Sequence, residues 1–231
     1  CQTAGVSLTE QQPMVNIIRV AYQAMAAVLG GTQSLHTNSM DETLALPTEH
    51  AVKIALRTQQ IIADETGVTR TVDPLGGSFF VEALTNEVER EATQLIDETY
   101  ERFGGVLPAT EQGYFRRLIA DSSAKFGAEF DRGQRVMIGV NKYVEKDYEK
   151  IPTLVIDEKV EKEQVARVKA LKQRRDKKRH TAALEALREA ALANANVMPQ
   201  LVEAAKADAT VGEMMQTLES IYGRYDGGPE L

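Results

Sequence analysis

Gly30-Gly31-Thr32-Gln33-Ser34-Leu35-His36-Thr37-Asn38-Ser39-Met40-Asp41-Glu42-Thr43-Leu44-Ala45-Leu46 lies between two segments with the periodicity of apolar helices. The stretch opens on a double glycine. It then sets Gln33, Ser34, His36, Thr37 and Asn38 around only two apolar residues, Leu35 and Met40. A plain connection does not need so many hydrogen-bonding side chains. Either they face a ligand, or they satisfy one another and the nearby backbone.

The flanks set the frame. Gln12-Pro13 suits a helix start, because proline at the first turn lacks an N–H that would be unpaired there anyway. Ile17, Ala21, Met25 and Val28 follow at helical spacing, and Gly30-Gly31 ends the helix. Thr32 to Thr37 alternates polar and apolar residues and reads as a short strand. Thr48, after Pro47, is the expected N-cap of a second helix that runs to about Glu65 and stops at Gly67. Helix, strand, helix is half of a β/α rhythm.

Further on, Val68 to Phe79 is irregular and contains Asp73-Pro74-Leu75-Gly76-Gly77-Ser78. A long helix follows, with Phe80, Leu84, Val88, Ala92, Leu95, Thr99 and Phe103 on one face, ended by Gly104-Gly105. The pattern predicts more helix from about Pro108 to Phe130 and a buried strand over Val136 to Tyr143. Lys142 to Lys150 is charged and loop-like. Helices are then expected near 158–178, 180–194, 198–207 and 211–222, with Val160, Val165, Val168 and Leu171 as a narrow seam. Gly223 to Leu231 reads as a mobile tail.

Bulk properties narrow the function classes. The 231 residues are 43% hydrophobic and 26% charged, an ordinary globular balance. A net charge of -7 argues against nucleic acid as a general partner. One cysteine excludes an internal disulfide. No apolar run approaches the roughly 20 residues of a membrane span. The chain opens at Cys1 without methionine, as expected for a piece of a longer polypeptide.

Few constellations suggest chemistry. His36, His50 and His180 are scattered, without zinc-ligand spacing. No Gly-x-Ser-x-Gly is present. Gly30-Gly31 and Gly76-Gly77 lack the remainder of a phosphate loop, so a helix cap and a tight turn are the favoured readings. The basic run from Lys169 to His180 is favoured as a solvated helix with cations near its C-terminal end. Asp41 and Glu42 would point opposite ways in an extended segment, so they form no acid/base pair.

QTAGVSLT (2–9), GGTQSLHTNS (30–39), DETLALPT (41–48), DPLGGS (73–78) and GVNKY (139–143), in this order, resemble the large subunit of adenosylcobalamin-dependent acyl-CoA mutases. The methylmalonyl-CoA mutase type in its split form is the nearest, with isobutyryl- and 2-hydroxyisobutyryl-CoA mutases as alternatives. The resemblance covers nearly the whole chain and is densest from Cys1 to Tyr143.

That resemblance implies an α/β, helix-rich chain. Residues 1–67 would be the C-terminal part of a (β/α)8 barrel, with Cys1 to Thr3 ending the seventh strand and Thr32 to Thr37 forming the eighth. Residues 68–145 would be a helical extension and 146–231 a helical C-terminal region. Gln2 would be an active-site glutamine. Gln33 and Ser34 would contact the CoA ester. Gly5, Val6, Glu42, Thr43 and Leu46 would contact the corrin, Val6 standing where many single-chain members carry tryptophan. The chemistry implied is a radical carbon-skeleton isomerisation, most simply methylmalonyl-CoA to succinyl-CoA, in the cytoplasm or a mitochondrial matrix. No Asp-x-His-x-x-Gly occurs, so the axial histidine is expected from a cobalamin-binding small subunit. The end Tyr225-Asp226-Gly227-Gly228-Pro229-Glu230-Leu231 favours that arrangement over a fused domain. A homodimer of large subunits is a further implied partner. A non-catalytic helical dimerisation or docking module is the reading from another class. This piece alone is not expected to be active.

Overall fold

The computed structural model describes residues 1–147 and 150–225. They fall into two compact units, Cys1–Val155 and the segment from Ile156 onward.

The first unit begins with two extended segments. Thr3 N–H donates to the His36 carbonyl at 3.0 Å and His36 N–H donates to the Cys1 carbonyl at 2.9 Å. These two bonds make a parallel bridge between Gln2 and His36. Among the described residues the pairing does not extend into a strand, so the expected strand over Thr32 to Thr37 is reduced to this single register point. A ladder needs neighbours on both sides to hold more of its backbone extended.

Helix α1 (Val15–Leu29) follows the first segment and α2 (Glu49–Asp64) follows the second, and the two helices pack together. Thr48 caps α2 by accepting from Ala51 N–H at 3.2 Å. Helix α1 starts later than the proline suggests. Gln12 is left-handed at φ 51°, and its side chain leaves to donate to the Tyr143 carbonyl at 3.0 Å. The buried face of α1 is Asn16, Val20 and Ala24, one position off the expected stripe. Ile17, Ala21 and Met25 instead line an apolar cleft of about 410 Å³ between α1 and α2, with Ile54, Ile61 and Ile62 opposite.

Helix α3 (Phe79–Phe103) is capped by Ser78, from the irregular stretch, and is ended as expected by Gly104, in the left-handed conformation. Its apolar stripe is largely uncovered. Thr99 is buried, whereas Phe79 and Phe80 are 93% and 75% exposed. The next helical stretch is two helices, α4 (Val106–Glu111) and α5 (Tyr114–Asp131), because Gly113 turns left-handed at φ 72° between them. Tyr114 stacks on Phe103 with ring centroids 4.8 Å apart and closes the α3–α4–α5 corner.

Val136 to Tyr143 is not a strand. Gly139 and Tyr143 have positive φ, Asn141 Nδ2 donates to the Arg135 carbonyl, and Asn141 Oδ1 accepts from Met137 N–H. The side-chain amide thus replaces a ladder partner and folds the segment into turns. Arg19 fastens it to α1 by donating to the Ile138 carbonyl at 2.7 Å.

The second unit contains α6 (Glu158–Arg174), α7 (Lys177–Leu192), α8 (Met198–Lys206) and α9 (Val211–Tyr222). Helix α7 packs on α8 and α9 around Leu187, Ala191, Ala204 and Ala207. Helix α6 buries none of its residues among those described. The basic run does not belong to one helix. Asp176 interrupts it and caps α7, accepting from Lys178 and Arg179 N–H, so Lys177 to Arg179 stand at a helix start. The expected tail is described as far as Tyr225; its remainder, including the end motif from Asp226, lies outside the described residues.

Candidate functional site

Just past the Gln2–His36 bridge both segments turn. The first enters a 3-10 turn at Gly5–Ser7, and the second bends through Ser39 to Leu46. The two turns meet over Asn38, which is fully buried. Asn38 Oδ1 accepts from Thr3 Oγ1 at 3.0 Å and from Gln2 Nε2 at 3.2 Å, while Asn38 N–H donates to Thr3 Oγ1 at 2.9 Å. Its Nδ2 is buried and has no hydrogen-bond partner among the described residues. A Cβ on Gly5 would fall 2.8 Å from that Nδ2 and 3.1 Å from Glu42 Oε1. Gln2, Gly5, Asn38 and Glu42 therefore converge, and only glycine leaves the space between the last three.

Beneath them the backbone is held by side chains of α1 and α2. Asn16 is completely buried and uses its whole amide: Oδ1 accepts from Thr9 N–H and Arg19, and Nδ2 donates to the Thr9 and Met40 carbonyls. One side chain thus ties the turn after each extended segment to α1. Burial pulls the Arg19 guanidinium below its ordinary pKa. Gln23 accepts from Ala4 N–H and donates to Ser7 Oγ, both at 2.7 Å, and so fixes the 3-10 turn from either side. Asp41 is fully buried; its Oδ2 accepts from Thr48 N–H and Oγ1, both at 2.9 Å, and its Oδ1 has no partner among the described residues. Glu42 is exposed, so the adjacent acids are split between a helix start and the open face.

Gln33 and Ser34 stand apart from this cluster. They line a cleft of about 190 Å³ with Val28, Thr32, Gln59 and Thr69, at the opposite end of the second extended segment. Val6, Thr43 and Leu46 are exposed around the cluster's turns, Val6 at 93%. His36 gives its backbone to the bridge and its side chain is exposed.

Sequence reading assigned no role to Thr3, Asn16 or Gln23, and placed Asn38 only among the polar side chains that face a ligand or satisfy one another. The one signal in the residues was Asn16 at the i, i+4 spacing of Val20 and Ala24: a polar residue in a buried helical stripe marks a built hydrogen-bond site. Among the described residues no group of histidine, cysteine and carboxylate side chains could hold a metal ion, and no helix is long and apolar enough to cross a membrane.

Comparison with known proteins gives this arrangement its context. The family model described as methylmalonyl-CoA mutase matches residues 1–224. A methylmalonyl-CoA mutase of Rhizobium meliloti is 47% identical over all of this chain and 33% of its own length. The 2-hydroxyisobutanoyl-CoA mutase large subunit of Aquincola tertiaricarbonis is 44% identical over 99% of this chain and 41% of its own. The human mitochondrial methylmalonyl-CoA mutase is 43% identical over all of this chain and 31% of its own. The chain therefore spans about a third to two fifths of the relatives' length. With a match over nearly every residue, the chain belongs to the methylmalonyl-CoA mutase family.

Proposed function

We propose that this chain closes a (β/α)8 barrel and forms part of the catalytic subunit of an adenosylcobalamin-dependent acyl-CoA mutase, with Gln2 at the reacting centre. The observation that carries this reading is the junction past the Gln2–His36 bridge. Two parallel segments, each followed by a helix, bring Gly5, Asn38 and Glu42 together beyond their paired ends. In β/α barrels that end is where ligands gather.

The residues fit the expected cofactor. Gly5 leaves room for close approach, Asn38 offers an unused donor, and Val6, Thr43 and Leu46 form an exposed, largely apolar rim suited to a broad flat ligand. When bound, adenosylcobalamin supplies the radical chemistry of a carbon-skeleton rearrangement. The protein's part is to bind, orient and exclude side reactions, and none of that needs a paired acid and base. Gln33 and Ser34 bind the CoA part of the ester from their separate cleft. A cobalamin-binding small subunit would supply the histidine that holds the cobalt. Large subunits pair in the assembled enzyme, which works in the cytoplasm or a mitochondrial matrix.

Methylmalonyl-CoA is the substrate we favour. A 2-hydroxyisobutyryl ester is the second reading, supported by the identity to the large subunit from Aquincola. The test is a mutase assay on the complete protein with adenosylcobalamin, with and without a small subunit, across several acyl-CoA esters. Turnover of one ester that requires the cofactor is expected. No turnover of any ester with both additions would remove the enzymatic reading and leave the docking-module alternative.

A further inference from the structure

We propose that Thr3 is a positioning residue whose hydroxyl sets the polarity of two side-chain amides, Asn38 and Gln2. This rests on the functional reading above. Thr3 Oγ1 accepts from Asn38 N–H at 2.9 Å and donates its single proton to Asn38 Oδ1 at 3.0 Å. With Oδ1 so assigned, Gln2 must offer its Nε2 to the same atom. Two consequences follow. Asn38 Nδ2, buried and without a partner among the described residues, is turned toward the space over Gly5. The Gln2 side-chain oxygen, on an exposed residue, is left among the described residues as the free acceptor of that amide. Without the hydroxyl both amides can flip together and still bond each other. The site would then present an acceptor where it had a donor, and a donor where it had an acceptor. A ligand matched to one pattern is mismatched to the other, because a buried polar group that loses its partner costs more than the bond it made.

The test uses the complete mutase and compares Thr3→Val, Thr3→Ser, Asn38→Asp and the double variant Thr3→Val/Asn38→Asp. The readouts are adenosylcobalamin affinity by absorbance titration, kcat and KM for the acyl-CoA ester, and thermal unfolding without cofactor. Thr3→Val should fold, melt at a lower temperature, and bind cofactor about tenfold more weakly, the scale of one ligand hydrogen bond. Thr3→Ser should restore affinity, since it keeps the hydroxyl. Asn38→Asp has two equivalent oxygens and no polarity to set. Adding Thr3→Val to it should therefore cost little further affinity, although each single variant costs much.

Thr3→Val with lowered stability but unchanged affinity would overturn the proposal, as would affinity losses that simply add in the double variant. If Thr3→Val fails to fold, Thr3→Ser and Asn38→Asp decide. Full affinity in Asn38→Asp, or affinity lost in Thr3→Ser, counts against the proposal. The reverse pair counts for it. Failure of the functional reading looks different: the unaltered protein would then bind no cofactor at all.

Discussion

Asn16 illustrates how much of the site is carried by residues that never reach it. Its buried amide serves Thr9, Met40 and Arg19 at once. Asn16→Ala strands several buried polar groups and should destabilise the complete protein by at least about 2 kcal/mol, read from urea unfolding. Gln33 is the opposite case. It is exposed, in a cleft away from Gln2, and among the described residues its amide ties no element of the first unit to another. Gln33→Ala should leave stability within about 0.5 kcal/mol. It should raise KM for the acyl-CoA ester several-fold with kcat nearly unchanged, as expected when uniform binding is lost. An unchanged KM would take the substrate role away from Gln33.

Among elements, α9 has the most heavily tied start. Thr210 and Glu213 form a capping box, and Glu213 also takes a bidentate contact from Arg175 at 2.7 Å on both oxygens. Lys172 and His180 stand 3.4 Å from the same carboxylate. The Arg175 guanidinium, helped by Thr210, holds the Glu213 carboxyl well below the usual carboxylate range, against the opposing effect of burial. A depressed folded pKa means that this stabilisation is fully present above the ordinary value of 4.5 and drains away as pH falls below it. Glu213→Gln should cost about 1–3 kcal/mol at pH 7, and the gap to the unaltered protein should narrow steadily below pH 4.5. Denaturation midpoints of both proteins at pH 7 and pH 3 check the sign; a gap that widens in acid would contradict it.

At the scale of the whole molecule, the exposed apolar surface is the informative feature. Phe79, Phe80, Leu84 and Val88 on α3, together with Val6 and Ile119, are open to solvent. Residues 150–157 lie outside any helix and lead into α6. This polypeptide expressed by itself should self-associate and bind a hydrophobic dye, and brief proteolysis should cut first between residues 150 and 157. A monodisperse, dye-silent monomer would show that these faces are not docking surfaces for the rest of a mutase.

Local chemistry makes most of the helices legible from residue types. Thr48, Ser78 and Gly104 fix their helix ends because capping depends on residues within one turn. The polar character of the stretch from Gly30 is equally plain. Decisions between distant residues are not. Val136 to Tyr143 has strand-like side chains, yet Asn141 and Gly139 fold it into turns anchored by Arg19, a partner over a hundred positions away. The buried stripe of α1 runs through Asn16 because the turns at Thr9 and Met40 need its amide. Residue types alone determined most of the helical segments and the family motifs. Tertiary structure alone decided which amides meet, since a hydrogen bond between Gln2 and Asn38 depends on a register that neither segment encodes by itself.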